Sequence, residues 1–242
     1  MNPFTASEFA RYIDHTLLKP DSTRRECIRI CEEARDAGFA AACILPAWVA
    51  DAADVLEGSG VAVCTVVGFP HGIAPPQAKA SETAIVVADG ATEVDMVLNI
   101  SALKSGSDVL VMSDIEAVVE AAQTGGAIVK VILECALLTD DEKRRAARFC
   151  LEAGADFVKT STGFAASGAT LDDVRLLRQI VGEEAGVKAA GGIRGLSNAL
   201  AMIEAGASRL GTSSGLALLQ EFQGGGANTD EPTATPKVGG SY

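Results

Sequence analysis

Histidine is nearly absent from this sequence: His15 and His71 are the only two among 242 residues. A metal centre built on imidazole is therefore poorly supported, because zinc sites lean on histidine and paired cysteine. Cysteine does not fill the gap. Cys27, Cys31, Cys43, Cys64, Cys135 and Cys150 form no CxxC pair and no His/Cys cluster, and read most simply as reduced thiols used as small apolar residues. Aromatic residues make up 5 % of the chain, which leaves Ala, Val, Leu and Gly to build the core. A basic excess is missing too. The formal net charge of −12 argues against a nucleic-acid partner, although a local positive pocket still suits a small anionic substrate. With no secretory leader, no lipidation signal and no apolar run of bilayer length, the chain reads as cytoplasmic, with no membrane partner.

What is abundant is one recurring phrase, a helix-like stretch, then glycine, then a short Val-rich run. It returns as "DAGFAAACIL", "GSGVAVCTVV", "ADGATEVDMVL", "GGAIVKVILE", "EAGADFVK", "EEAGVKAA" and "EAGASRLG", with Gly38, Gly60, Gly90, Gly126, Gly154, Gly186 and Gly206 as markers. Glycine is what a left-handed helix cap requires. The runs that follow are apolar on both parities, as strands covered on both faces should be. Helix starts are marked by the capping-box phrases "TASE", "TRRE" and "TDDE" and their relative "TLDD", and by Pro46 and Pro75 near first turns. With "YIDHTLL" as the first strand, the pattern gives eight strand–helix units after a short N-terminal helix. That predicts an α/β fold, a closed (β/α)8 (TIM) barrel, in one domain over residues 1–223. A doubly wound open sheet is the alternative, weakened by the lack of a GxGxxG after the first strand. From 224 to 242, "GGGANTDEPTATPKVGGSY" breaks the pattern and reads as a flexible tail.

Active sites of such barrels gather at the C-terminal ends of the strands. Those ends offer Asp14, Thr16, Cys43, Thr65, Asp95, Glu134, Lys159, Lys188 and Gly211. Lys159 closes the apolar run "ADFVK", a costly place for an ammonium unless it is paired or neutral. Lys188 falls on the neighbouring strand. If both point inward to about 5 Å, their repulsion at an effective dielectric near 20 is roughly 3 kcal/mol. Desolvation acts the same way, so one amine is expected to be partly neutral and able to attack a carbonyl. A lysine simply paired with Asp95 or Glu134 is the structural alternative. Asp95, across the barrel, is the best carboxylate for a proton shuttle, with Lys188 relaying protons to it. An iminium is its own electron sink, so no metal or other cofactor is expected. The turns "GGIRG" (191–195) and "GTSSG" (211–215) offer glycine amides, Arg194, Ser213 and Ser214 where barrels commonly hold phosphate.

With these stretches in hand, the chain resembles the deoxyribose-phosphate aldolases, class I Schiff-base lyases. The matching segments are "IDHTLLKPDST", "CTVVGFPHG", "EVDMVLNISAL", "VKVILE", "ADFVKTSTGF", "KAAGGIRG" and "GTSSG". The resemblance implies Lys159 as the Schiff-base lysine and Asp95 with Lys188 as the proton-transfer pair. It further implies a pocket lined by Asp14, Thr16, Cys43 and Thr162, and a phosphate held by Gly191, Gly192, Arg194, Gly211, Ser213 and Ser214. Phe164 stands where some members carry a second phosphate-binding lysine, which throws that grip onto Arg194 and the two turns. The reaction implied is reversible cleavage of 2-deoxy-D-ribose 5-phosphate to D-glyceraldehyde 3-phosphate and acetaldehyde, in deoxynucleoside breakdown, by a homodimer. A C-terminal tyrosine aids proton transfer in some members, a role that would fall to Tyr242. Two other readings stay open on the residues alone: a Schiff-base barrel for another sugar phosphate, and an inactive barrel that binds phosphorylated ligands.

Overall fold

In the computed structural model, which describes residues 4–224, strand and helix alternate along the chain. The strands are β1 (Ile13–Leu17), β2 (Ala41–Ile44), β3 (Ala62–Val67), β4 (Glu93–Val97), β5 (Ile128–Ile132), β6 (Phe157–Lys159), β7 (Gly186–Ala190) and β8 (Arg209–Thr212). All neighbours pair in parallel, and β8 closes on β1 to complete the barrel. The helices are α1 (Ala6–Ala10), α2 (Arg24–Ala37), α3 (Val49–Leu56), α4 (Pro76–Ala88), α5 (Ile100–Lys104), α6 (Asp108–Gln123), α7 (Asp140–Glu152), α8 (Leu171–Val181), α9 (Leu196–Glu204) and α10 (Gly215–Gln223). The expected closed (β/α)8 barrel with a short N-terminal helix is therefore what forms. The domain boundary expected at 223/224 falls at the end of α10, and the segment from 225 on, Tyr242 included, lies outside the described residues.

Local chemistry explains the helix starts. Thr5, Thr23 and Thr139 each accept a backbone N–H three residues on, while Glu8, Glu26 and Glu142 reach back to the capping residue. Thr170 caps α8 in the same sense through the N–H of Asp173. Gly38 closes α2 in the left-handed conformation that its position predicts. Gly186 departs from the expectation. It opens β7, and Gly182 ends α8 with a positive φ of 54° but a ψ of −128°, outside the left-handed helical region. A Cβ on Gly186 would sit 2.1 Å from the Phe157 ring, so this glycine answers a steric demand of the neighbouring strand.

Because side chains alternate across a strand, each strand feeds two layers. Outward residues such as Ile44, Val94, Met96, Val131, Val158 and Leu210 join the helices in one continuous core. At about 1.5–3 kcal/mol per fully buried aliphatic side chain, this layer carries the stability of the fold. Inward positions are unlike those of an ordinary barrel, whose interior is stacked with branched aliphatics. Leu18, Ala41, Cys43, Cys64 and Val66 form only a small apolar cluster there, and charged side chains occupy most of the rest. Outside the barrel, Lys79 joins α4 to α6 through Asp114 at 2.6 Å and donates to Val97 O at 2.8 Å. That buried pair fixes the end of β4, two residues beyond Asp95. No helix among the described residues is long and apolar enough to cross a membrane.

Candidate active site

Strand register sets the charged interior. Asp95 pairs with Lys130 across β4 and β5, Lys159 with Lys188 across β6 and β7, and Lys188 with Arg209 across β7 and β8. Their side chains meet on Asp95. Its Oδ1 accepts from Lys130 at 2.8 Å, and its Oδ2 accepts from both Lys159 at 2.8 Å and Lys188 at 2.7 Å. Lys188 also lies 2.5 Å from Asp14 Oδ2, and Lys130 lies 2.6 Å from Glu93. Arg209 completes the set, donating to Asp14 at 2.6 Å and bridging to Glu93 at 3.2 Å. Four cations thus face three carboxylates, leaving one positive charge uncompensated.

Burial alone would push the Asp95 carboxyl up, but Lys130, Lys159 and Lys188 outweigh it and hold it well below the usual carboxylate range. Asp14 follows the same logic: burial opposes, Lys188, Arg209 and Lys130 prevail, and its pKa falls from 3.8 to about 2. Burial would likewise strip the proton from Lys188, yet Asp14 and Asp95 hold it above the ordinary lysine value. The bare repulsion expected between Lys159 and Lys188 is therefore incomplete, because a shared carboxylate oxygen stands between the two ammonium groups. These shifts have a stability consequence. A depressed carboxyl stabilises the fold above its unfolded pKa and loses that contribution as pH falls through the folded value; a raised lysine does the reverse at the alkaline end. The Asp14 contribution, on the order of 2 kcal/mol, is expected to be intact above about pH 4 and lost toward about pH 2. Melting temperature against pH checks this, with Asp14→Asn flattening the acid limb.

Above the charged layer opens a pocket of about 380 Å³. Thr16, Lys159, Thr162, Gly191, Gly192, Arg194, Gly211 and Ser213 line it, together with Lys19, Phe164 and Thr212. Lys159 is the one of the three Asp95-bound lysines that lines this pocket, its side chain 3 % exposed. Gly211 keeps the space beside it open, since a Cβ there would come within 3.1 Å of Lys188 Cε. The two glycine turns are tied together by the Thr212 hydroxyl, which donates to Ile193 O at 3.0 Å and accepts from Ser214 N–H at 3.0 Å. Glu134 organises the adjoining wall, the loop after β6 that packs on Gly191. It holds a left-handed φ of 56°, a strained geometry for a residue with a side chain. Its carboxylate accepts the Thr162 hydroxyl and, at 3.3 Å, the Thr162 N–H, so it braces the loop that follows Lys159.

Several residues expected at the strand ends lie elsewhere. Asp14, Asp95 and Lys188 sit within their strands, buried one layer beneath the pocket, and Cys43 is buried with them. Thr65 has the parity opposite to Cys64 and Val66; it faces outward and donates to Ile44 O at 2.9 Å. Glu134 binds Thr162 and so does not serve Lys159. Ser214 is outside the pocket lining. Sequence reasoning passed over Lys130, Glu93 and Arg209, which take part in five of the eight ion pairs of the cluster. A signal existed: Glu93 and Asp95 share one parity of an otherwise apolar strand, as Lys130 does at the centre of "IVKVI".

The chain has known relatives. The family model described as DeoC/LacD family aldolase matches residues 9–221. A deoxyribose-phosphate aldolase of Geobacillus sp. (strain WCH70) is 54 % identical over 214 residues, spanning 88 % of this chain and 96 % of the relative. Deoxyribose-phosphate aldolase 1 of Bacillus licheniformis is 54 % identical over 213 residues, 88 % of this chain and 95 % of that one. Among solved structures, the tetrameric deoxyribose phosphate aldolase of Aeropyrum pernix superposes with a TM-score of 0.84 at 36 % identity, covering 90 % of this chain and 92 % of its own.

Proposed function

We propose, from the premise that this chain belongs to the DeoC/LacD family of aldolases, that it cleaves 2-deoxy-D-ribose 5-phosphate reversibly to D-glyceraldehyde 3-phosphate and acetaldehyde through a Schiff base on Lys159. The observation that carries the assignment is the sharing of Asp95 Oδ2 by Lys159 and Lys188 beneath the pocket, with Lys159 alone of the pair in the lining. Lys130 and Lys188 each face two or more carboxylates, whereas Lys159 has one. Lys159 is thus the lysine of the cluster with the fewest carboxylate partners and the one that reaches the pocket.

In cleavage, the Lys159 amine adds to the aldehyde carbon of the open-chain sugar, and the carbinolamine loses water to leave an iminium. Deprotonation of the C3 hydroxyl then breaks the C2–C3 bond. Glyceraldehyde 3-phosphate leaves, and the bonding pair moves into the iminium to make the acetaldehyde enamine. Protonation of that enamine carbon and hydrolysis release acetaldehyde and restore the amine. Asp95, held ionised, carries protons only in passing and orients both amines; Lys188, held protonated, is the standing donor. Thr16, Thr162, Asp14 and Cys43 shape or back the sugar end of the pocket. Gly191, Gly192, Arg194, Gly211 and Ser213 hold the phosphate, while Ser214, outside the lining, steadies the turn through its N–H to Thr212. Assembly as a homodimer, in the cytoplasm, belongs to the same reading; the largely exposed Ile73, Ile85 and Val109 support a buried contact.

Reductive trapping tests it. Incubation with acetaldehyde and borohydride should leave one ethyl group on Lys159 by peptide mapping, and the sugar phosphate should yield acetaldehyde as product. An unmodified Lys159 in protein that still binds the sugar phosphate would reduce the barrel to a binding module.

A further inference from the structure

We infer that Cys43 and Cys64 form an oxidisable dithiol inside the barrel, a modification site at which a peroxide closes a disulfide and silences the adjoining lysine cluster. The two residues are register partners on β2 and β3. Both side chains point into the small interior cluster. Neighbouring strands run about 4.8 Å apart, inside the roughly 4.4–6.8 Å Cα separation that a disulfide spans. The two sulfurs and an Asp95 oxygen lie within 4.8 Å of one another. Rotation about χ1 is what remains to bring the sulfurs to a bond of about 2.05 Å.

Three such ligand atoms could also suggest a metal ion. Here the carboxylate already accepts from Lys130, Lys159 and Lys188, so a cation would enter against three ammonium groups. Oxidation meets no such barrier, since it adds no charge.

The environment divides the labour between the two thiols. A hydrogen bond from Cys64 lowers the Cys43 thiol pKa against burial, with Lys188 and Lys159 assisting. Burial, the same hydrogen bond and Asp95 hold Cys64 in the thiol form, its sulfur 3.3 Å from Asp95 Oδ1. One sulfur is thus biased to the thiolate and the other to the thiol, the pairing that stepwise disulfide formation uses. The remaining cysteines are biased against reaction: burial pushes Cys31 up to about 12 and raises Cys27, Cys135 and Cys150 as well. Cys43 is buried one strand from the pocket: its register partner on β1, Thr16, lines the pocket.

The chemistry balances with hydrogen peroxide as the oxidant. The Cys43 thiolate attacks one peroxide oxygen, the O–O bond breaks, and the departing hydroxide takes a proton to become water, leaving a sulfenic acid. Cys64 sulfur then attacks the Cys43 sulfur, expelling a second water as the S–S bond forms. Two thiols lose two electrons and two protons, and one peroxide becomes two waters. The disulfide replaces the Cys64 thiol beside Asp95 with a sulfur that has no proton to give. The dithiol assignment stands without the aldolase reading; its effect on turnover rests on that reading.

The test treats the native full-length protein with a small excess of hydrogen peroxide, blocks free thiols, and maps peptides without reduction. The expected result is a Cys43–Cys64 linked peptide, a mass lower by two hydrogens, and at least a tenfold fall in turnover reversed by dithiothreitol. In Cys64→Ala, with Cys64→Ser as a second variant that keeps a polar group near Asp95, no link forms and Cys43 passes to sulfinic acid. A wild-type protein in which Cys43 becomes sulfinic without a link, or links form elsewhere, overturns the site. So does a native protein whose thiols survive conditions that oxidise the unfolded chain. A linked protein with undiminished turnover overturns the silencing, and a linked peptide in a protein without aldolase activity faults only the proposed reaction.

Discussion

Lys159→Met is expected to lower turnover by roughly four orders of magnitude or more, as removal of a covalent nucleophile does, while leaving the barrel folded. The second half of that expectation comes from the charge count. Removing Lys159 leaves Lys130, Lys188 and Arg209 facing Asp14, Glu93 and Asp95, three against three. Asp95 loses one donor at Oδ2 but keeps Lys188 on the same oxygen and Lys130 on the other. Methionine has a similar length and flexibility, so it fills the space without a void. The melting temperature should therefore stay within a few degrees of wild type, and borohydride with acetaldehyde should leave no adduct. Lys159→Arg separates charge from nucleophilicity: it restores the cation and should be equally inactive. Cleavage surviving within a hundredfold of wild type in either variant would remove Lys159 from the reaction.

Much of the barrel was legible because its signals are local. Capping boxes at Thr5, Thr23 and Thr139 need only four consecutive residues, and the Gly38 cap needs only its own backbone. Lys159 stood out for the same reason: an ammonium ending an apolar run, followed by hydroxyls and a glycine, is unusual on its face. Gly186 misled because its constraint is the Phe157 ring on another strand, invisible in its own neighbourhood. The three missing members of the cluster share that cause. Lys130, Glu93 and Arg209 become one site only when β8 pairs with β1 and register brings β4, β5, β7 and β8 to the same level. A strand-end rule also placed Asp14, Asp95 and Lys188 too high, because it tells which mouth is used and not how deep the chemistry reaches.

Asp95→Asn puts the depth of that chemistry to the test, and it should damage stability and catalysis together. The substitution leaves four cations with two carboxylates in a water-poor interior, and turns an amide N–H₂ toward ammonium groups that need an acceptor. Breaking a buried pair by removing one partner typically costs about 3–5 kcal/mol. At about 2–4 °C per kcal/mol for a chain of this size, the melting temperature should fall by roughly 6–20 °C. Turnover measured well below that melting point should still be down by about a thousandfold or more, since Lys159 and Lys188 no longer share an oxygen through which a proton can pass. The double variant Asp95→Asn/Lys188→Met separates the two effects. Deleting the stranded cation should recover part of the lost stability, a non-additivity expected of groups in direct contact, and recover none of the activity. Asp95→Asn with turnover within tenfold of wild type would show that the carboxylate is structural filling. A double variant no more stable than the single would show that the cations of the barrel are not balanced through this residue.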